Sequence, residues 1–447
     1  MNYLCLFTTI ICCIFCYKRD KTVFSPSVAF SGLFSIIFIF ASSGWYGMYS
    51  APDSAYSLIT IGVLSFLIGT VVMKKYSLKN AFYITGKNIN ENDRLHSRIY
   101  WRMFLVCILV LMSSIIMIGT YLMSGATLGD VYVVAAAATD GEVNELSKGG
   151  FQVLLESYIA YPLLYLLVPV SLVEFFSSYK KKYLFVALFL ALLRVCLDAR
   201  RTYLTAFILM TVICIYMHRK DYKFFNAQLY KRFKYFRKYS LFIVLFVFFF
   251  FSYVSSQRSI AKLGEDESST IVTLVEYYGG CVQFFGYCIE NVVNDHTFGF
   301  STFRGFLAPF WGIFKLIGIE SPSFLNDANK YLETLHATVL NINPSKPYNS
   351  FATCFFQFYC DFGVVGIVAL SFLYGVFAEN IFEKMVILKS KRAEATYVFF
   401  FANILMLSFV NMETVLALNF WPLVLVRFLY PSNNKIWLKK KVMDRCP

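Results

Sequence analysis

Long apolar runs alternate with short polar connections along most of this chain. A helix needs about 20 apolar residues to cross a bilayer, and somewhat fewer when it is short or re-entrant. The pattern predicts about 11 spans, at residues 3–17, 27–48, 55–73, 103–123, 156–177, 183–198, 202–217, 239–255, 361–383, 395–412 and 414–430. We therefore expect an all-α, polytopic integral membrane protein in which residues 1–447 form a single membrane domain.

Residues 256–360 interrupt this pattern with one long connection. It contains two aromatic-rich segments, TIVTLVEYYGGCVQFFGYCIENV (270–292) and STFRGFLAPFWGIFKLIGI (301–319). A connection this long in a compact fold is usually functional or disordered, and this one is too apolar for disorder. Charged and glycine residues interrupt both segments, which favours interfacial or re-entrant helices packed on protein over full spans. We expect a folded cap on one face of the membrane.

The amount and placement of charge also indicate a membrane protein. Charged residues make up 15% of the 447 residues, against about 25% in ordinary soluble domains. The net charge is +14, but the basic residues cluster between apolar runs, which is the positive-inside pattern and argues against nucleic-acid binding. The basic connections 74–102 and 218–238 are expected in the cytoplasm, so connections 49–54, 124–155 and 256–360 are expected on the outer face.

Charged residues also occur at LLRVCLDARRTYL (192–204), where two short candidate spans meet. In a continuous helix Arg194, Asp198 and Arg201 share one face, and Arg200 points away from it. Charges at membrane depth usually face a cavity or one another. The arginines therefore either bind phosphate through planar, bidentate guanidinium groups, or form an internal Arg–Asp pair that ends two helices. The surplus of positive charge favours phosphate binding.

Two further arginines, Arg258 and Arg304, belong to the long connection. Each is either an anchor at the membrane interface, which is the common role, or a contact to a ligand. Together with Arg200 and Arg201 they would form a positive pocket on the outer face, where few other basic residues occur.

Three residues are candidates for a general base: His296, His336 and Asp361. Histidine ionises close to neutral pH, which suits proton transfer, although a single histidine in a loop is more often a plain surface residue. Asp361 lies where the long connection meets the next candidate span. Its carboxylate either caps the N-terminus of that helix or faces a cavity.

The chain lacks common motifs for nucleotide or metal binding. It contains no G-x-G-x-x-G, P-loop or H-E-x-x-H sequence, and no Asp-x-Asp pair of the kind that holds a divalent cation for a sugar nucleotide. We therefore expect no metal and no cofactor. Arginines without a metal site favour a metal-independent reaction on a lipid-linked phosphate.

Three stretches carry a resemblance to a known family. The first is LDARRTYLTAF (197–207), which places arginines between two short helices. The second is Arg258 after a long aromatic segment, followed by RGFLAPFWGIFKLIG (304–318). The third is KPYNSFATCFFQFYCDFGVVG (346–366), in which Asp-Phe-Gly precedes the next span. Together with the overall layout, they resemble the O-antigen polymerase family, the Wzy-type oligosaccharide repeat-unit polymerases of bacterial membranes.

The resemblance implies a glycosyltransferase of the bacterial plasma membrane. It would join lipid-linked oligosaccharide repeat units into O-antigen or into capsular polysaccharide or exopolysaccharide. Undecaprenyl pyrophosphate would be the leaving group, held by arginines that correspond to Arg200, Arg201, Arg258 and Arg304, with Arg194 beside them. The implied partners are the undecaprenyl-pyrophosphate-linked oligosaccharide, membrane lipid, a flippase and a chain-length regulator protein.

Two other functions fit the same layout. The first is an O-antigen ligase, which moves finished glycan to a different acceptor. Ligases use a histidine of the outer loop, but neither His296 nor His336 lies in a matching motif. The second is a flippase or another transporter of lipid-linked oligosaccharide, which needs a charged pathway to both faces of the membrane. A ladder of products from one lipid-linked repeat unit distinguishes a polymerase from a ligase.

Overall fold

The structure is a computed structural model, and it describes residues 2–84, 94–139, 148–198, 202–218, 270–316, 318–320, 322–344, 346–348, 351–388, 390–410 and 412–431. Within these ranges the chain is mostly helical.

The described part of the chain contains fifteen α-helices. Those before the long connection are α1 (Asn2–Asp20), α2 (Pro26–Ser42), α3 (Asp53–Ile84), α4 (Ser97–Met123), α5 (Leu128–Thr139), α6 (Gly150–Leu155), α7 (Tyr161–Ser178), α8 (Lys181–Asp198) and α9 (Thr202–His218). Those after residue 269 are α10 (Thr270–Asn291), α11 (Phe300–Leu316), α12 (Ser323–Ala337), α13 (Cys354–Leu388), α14 (Lys391–Phe400) and α15 (Met412–Leu429). Strands β1 (Leu340–Asn343) and β2 (Lys346–Tyr348) pair antiparallel between α12 and α13. A π-helical turn, Glu156–Ala160, joins α6 to α7, and another, Phe401–Leu405, follows α14.

Local sequence explains where some of these helices begin and end. The Ser25 hydroxyl accepts a hydrogen bond from the Val28 N–H at 3.4 Å, and Pro26 starts α2 at a position that needs no N–H donor. After the last residue of α7, Tyr179 adopts a left-handed φ of 54°, and its N–H donates to the Phe175 carbonyl.

The chain divides into two compact units. The first comprises Met1–Leu78, Leu263–Glu383 and Phe400–Phe420, and the second comprises Lys79–Lys262, Lys384–Phe399 and Trp421–Pro447. The candidate residues His296, Arg304 and Asp361 belong to the first unit, and Arg194 belongs to the second.

The first unit contains closely packed apolar helices. Phe30 of α2 stacks on Phe66 of α3 with ring centroids 3.9 Å apart, and both rings are fully buried. Helices α3 and α13 approach each other through glycines. A Cβ at Gly69 would overlap the Phe372 carbonyl, and a Cβ at Gly375 would overlap the Phe66 carbonyl. Small residues permit this close backbone contact between two largely apolar helices.

Helix α10 and the hairpin pack on the connection between α2 and α3. Gly280 of α10 faces the ring of Tyr348 in β2. The Tyr49 N–H donates to the Ile342 carbonyl of β1 at 2.9 Å. Helices α10 and α11 coincide with the two aromatic segments for which the sequence predicts helices.

Helix α7 lies in the core of the second unit, and nearly all of its side chains are buried. Two buried carboxylates lie at its ends. Glu156, in the π-helical turn before it, accepts a hydrogen bond from Lys148 Nζ at 2.6 Å. Glu174, near its C-terminus, accepts from Lys391 Nζ at 3.0 and 3.1 Å. Each buried carboxylate therefore has a lysine as its counter-charge, which burial of an ionised group requires.

Among the described residues, four helices are long enough and apolar enough to cross a membrane: Asp53–Ser77, Ser97–Met123, Gly150–Ser178 and Cys354–Leu388. They contain the predicted spans 55–73, 103–123, 156–177 and 361–383. Shorter apolar helices are Pro26–Ser42, Tyr203–His218 and Phe420–Leu429. The predicted span 239–255 lies outside the described residues. The described chain is thus mostly helical and consistent with a membrane protein, and the count of about 11 spans stays a prediction.

Candidate functional site

Helix α13 is broken at Phe362 and Gly363. The backbone angles are φ −147° and ψ 23° at Phe362, and φ 61° and ψ −142° at Gly363, where any side chain would be strained. Next to the break, the carbonyl groups of Cys360 and Asp361 accept hydrogen bonds, at 3.0 and 3.2 Å, from the two N–H groups of residues 297–298. The chain that precedes α11 therefore covers the break, as irregular backbone in an apolar helix requires.

The Asp361 carboxylate is fully buried and caps the N-terminus of α11. Its Oδ1 accepts hydrogen bonds from the Thr297 hydroxyl at 2.6 Å and from the Ser301 N–H at 2.9 Å. Its Oδ2 accepts from the Thr302 N–H at 3.0 Å. The residue before α11 is Gly299, which has no side chain for this purpose, so a carboxylate from another helix supplies the cap.

The sequence left two roles open for Asp361, a cap of its own helix or a carboxylate that faces a cavity, and this geometry corrects the first. A cap of its own helix is wrong, because both carboxylate oxygens accept their hydrogen bonds from residues 297–302, at the start of α11, and not from the helix that follows the break. Both carboxylate oxygens are occupied by donors in a buried position. These bonds favour a structural role for Asp361 over catalysis.

His296 lies over the break in α13. Its ring atoms Cε1 and Nε2 are 3.2 and 3.4 Å from the point that a Cβ at Gly363 would occupy, and the residue is exposed. Tyr331 of α12 fixes the residues before it. The Tyr331 hydroxyl accepts from the N–H groups of Asn294 and Asp295, at 3.2 and 2.6 Å, and donates to the Asp295 carbonyl at 2.8 Å. An exposed imidazole on a braced loop is suited to taking a proton from a bound hydroxyl.

Replacing Tyr331 with phenylalanine is expected to loosen the loop that carries His296. The change leaves the N–H groups of Asn294 and Asp295 without their acceptor in the protein, and an ordinary hydrogen bond of this kind contributes about 0.5–1.5 kcal/mol. Hydrogen–deuterium exchange should become faster at these two amides. Tyr287→Phe, at an exposed tyrosine of α10, is the matched control and should leave their exchange unchanged. Equal protection in the wild type and Tyr331→Phe would contradict the bracing role.

Arg304 lies about one turn into α11 and is half-buried. Its Nε donates to Asn329 Oδ1 of α12 at 2.5 Å. Helix α12 therefore contacts both the arginine and, through Tyr331, the loop of His296. His296, Asp361 and Arg304 are gathered around the start of α11.

Arg194, in the second unit, is buried between two tyrosines. Its guanidinium carbon lies 3.6 Å from the ring centroid of Tyr161 and 4.4 Å from that of Tyr203. Its Nη2 donates to the Tyr203 hydroxyl at 2.7 Å, and the residue is 3% exposed. Aromatic faces attract a cation and offset part of the cost of its burial. This placement favours an internal role for Arg194 over phosphate binding. The side chain of Asp198, its expected partner in an Arg–Asp pair, lies outside the described residues.

Several predicted site residues lie outside the described part of the chain. They are Arg200, Arg201, Arg258 and the side chain of His336, whose backbone belongs to α12. Their roles stay predictions. Among the described residues, no group of three or more His, Cys, Asp and Glu side chains could hold a metal ion.

Comparison with known proteins identifies no relative of this chain. No family model, curated protein or solved structure matches this chain significantly. The resemblance to the O-antigen polymerases therefore remains a prediction that depends on the three sequence stretches and the layout of apolar runs.

Sequence reasoning missed helix α12 and with it Tyr331 and Asn329. The signal was present, because the buried residues of this helix recur at helical spacing: Leu325, Ala328, Tyr331 and Leu335. A helix with one apolar face predicts packing against neighbouring structure, and here that face carries the hydroxyl that braces the loop of His296.

Proposed function

We propose that this protein polymerises lipid-linked oligosaccharide repeat units at the outer face of the bacterial plasma membrane. The observation that carries the proposal is the exposed imidazole of His296 over the break in α13, with Arg304 in the adjoining helix. A base and a cation beside a broken apolar helix suit the reaction of a hydroxyl group with a lipid-linked glycosyl phosphate.

In the proposed reaction, a hydroxyl group of one repeat unit attacks the anomeric carbon of the growing glycan. The bond from that carbon to the pyrophosphate oxygen breaks, and undecaprenyl pyrophosphate leaves with the bonding electrons. His296 accepts the proton of the hydroxyl group, for which an imidazole is suited near neutral pH. Arg304 stabilises the negative charge that develops on the leaving group. The same role is assigned to Arg200, Arg201 and Arg258.

The proposal includes a membrane arrangement. The protein is a multi-pass protein of the inner membrane with about 11 spans, and residues 256–360 form a large connection on the outer face. The basic connections 74–102 and 218–238 support this orientation. The glycosyltransferase uses no metal or cofactor, receives its substrate from a flippase and works with a chain-length regulator protein.

His296→Ala and Arg304→Ala test the proposal in cells that lack their own copy of the protein. Removing one catalytic electrostatic group commonly lowers turnover about 10²–10³-fold, so each variant should shorten the surface polysaccharide. A gel of the polysaccharide measures the length, and an immunoblot of membranes measures the amount of protein. Arg98→Ala is the matched control, because it removes an exposed arginine of the connection expected in the cytoplasm.

Ladders of normal length from both variants would contradict the proposed roles. Purified protein with a single lipid-linked repeat unit gives an independent result. A ladder of products supports a polymerase, whereas transfer to a different acceptor without extension indicates a ligase. In deletion cells, accumulation of outward-facing single units supports a polymerase, and accumulation of inward-facing units indicates a flippase.

A further inference from the structure

A buried cluster of charged side chains lies where α1 ends. Asp20, the last residue of α1, has a fully buried side chain. Its oxygens accept hydrogen bonds from Arg19 Nε and Nη2, both at 2.8 Å, and from Lys74 Nζ at 2.6 Å. The Ser27 hydroxyl of α2 donates as well. Burial raises the pKa of Asp20, but these hydrogen bonds outweigh it and hold the pKa well below its usual value. Asp20 is therefore ionised and fully satisfied.

Glu379 of α13 belongs to the same cluster and lacks such donors. It is 0% exposed, and neither of its oxygens accepts a hydrogen bond from any residue that the structure describes. Arg19 and Lys74 direct their bonds to Asp20, and the remaining nitrogen of Arg19, Nη1, does not bond to Glu379. An ionised carboxylate without donors in such a position costs several kcal/mol. Glu379 therefore needs a positive charge that these residues do not supply.

Glu383 lies one turn further along α13 and is also buried. Side chains four residues apart on a helix lie on the same face, so the two carboxyl groups are neighbours. Two ionised carboxylates at this spacing repel each other, whereas one shared proton joins them through a hydrogen bond. Among the described residues, the charged groups that act most strongly on Glu379 are Arg19 and Asp20 from α1, Lys74 from α3, and Glu383. With both glutamates ionised, this set contains three carboxylates and two cations, so it carries one excess negative charge.

We propose that Glu379 and Glu383 together bind one proton, which makes this part of α13 a proton-binding site. The proton forms an O–H···O bond between the two side chains, cancels the excess charge and gives a partner to one of the two buried oxygens of Glu379. A metal ion suits the cluster less well, because the oxygens of Asp20 already accept hydrogen bonds from Arg19, Lys74 and Ser27, which leaves only the two glutamates as candidate ligands among the described residues of the cluster. Proton binding at this pair is independent of the proposed polymerase reaction.

Thermal unfolding of the full-length protein in detergent, at a series of pH values, tests the proposal. Both glutamates ionise in the unfolded chain above mildly acidic pH, whereas the folded chain retains one proton, so unfolding releases that proton. The melting temperature should therefore be highest at mildly acidic pH and decrease as the pH rises to mildly alkaline values. Asp20 contributes no slope in this range, because its stabilisation is lost only as the pH falls towards the unfolded pKa of about 4.

Glu379→Gln keeps the shape of the side chain and removes the need for a proton, so its melting temperature should be nearly independent of pH over the same range. Glu320→Gln removes an exposed carboxylate and, as the matched control, should keep the wild-type slope. Infrared spectroscopy gives a second measurement. The carbonyl band of a protonated carboxyl group should be present in the wild type at neutral pH and absent from Glu379→Gln.

The proposal is overturned if Glu379→Gln keeps the wild-type dependence on pH, or if the infrared band is missing from the wild type. A wild-type melting temperature that rises with sodium chloride but not with choline chloride would assign the site to sodium and overturn the assignment to a proton. If Glu379→Gln does not fold, the same two measurements on Glu383→Gln decide the question.

Discussion

Asp361→Ala is expected to destabilise the start of α11 and to lower the free energy of unfolding by about 1–3 kcal/mol for each donor that loses its acceptor. Three donors are affected: the Thr297 hydroxyl and the N–H groups of Ser301 and Thr302. The loss of a negative charge at a helix N-terminus adds to the effect. Thermal unfolding of the purified full-length protein measures the change.

Asp361→Asn keeps the size of the side chain and changes only its charge and hydrogen bonds, so it distinguishes the loss of hydrogen bonds from the loss of volume. An amide keeps one oxygen for Thr297 and Ser301 but presents an NH₂ group to the Thr302 N–H, so the loss should be smaller than with alanine. Asp295→Asn, at an exposed residue of the neighbouring loop, is the control and should change stability little. If Asp361→Ala melts at the wild-type temperature, the carboxylate does not hold α11.

Gly375→Leu is expected to decrease sharply the recovery of folded protein from membranes. A side chain at this position would meet the backbone of Phe66, and backbone cannot rotate away as a flexible side chain can. Overpacking usually costs about 1–3 kcal/mol and more where the neighbour is fixed. Gly69→Leu should have the same effect, because it places a side chain against the Phe372 carbonyl of the facing helix.

Gly119→Leu is the matched control for this prediction. Gly119 also lies in a candidate membrane span, but a Cβ there would meet no atom within 4 Å. The yield of monodisperse protein after detergent extraction should therefore stay close to that of the wild type for Gly119→Leu and decrease sharply for Gly375→Leu. Equal yields from the two variants would show that the contact between α3 and α13 adapts to a side chain.

The sequence predicts the helical, apolar character of the chain and the two aromatic helices of the long connection. These features depend on composition and on spacing within one segment, which a sequence displays directly. The cap of α11 could not be found in this way. Rules for helix capping compare residues within one turn, whereas Asp361 follows Ser301 by 60 residues.

Burial explains the other differences between the sequence and the structure. The surplus of positive charge near Arg194 indicates a phosphate site, but the fold encloses that guanidinium between Tyr161 and Tyr203. The sequence does not indicate that Glu379 and Glu383 are buried, because carboxylates near the end of an apolar run are usually hydrated. Only the packing of α1 and α3 against α13 shows that Glu379 has no contact with water.

The hydrogen bonds of Asp361 to residues 297–302 hold together two points that are distant in the sequence. The segment between these points, which contains α11, α12 and the hairpin, is a lobe whose two ends are joined. Once the ends of a segment are held together, added length costs little, about 0.6 kcal/mol for each doubling. The links inside this lobe can therefore lengthen or change in composition without shifting the broken helix beneath it. Under the proposed function, evolution could adapt the lobe to new sugars and retain the same reacting groups.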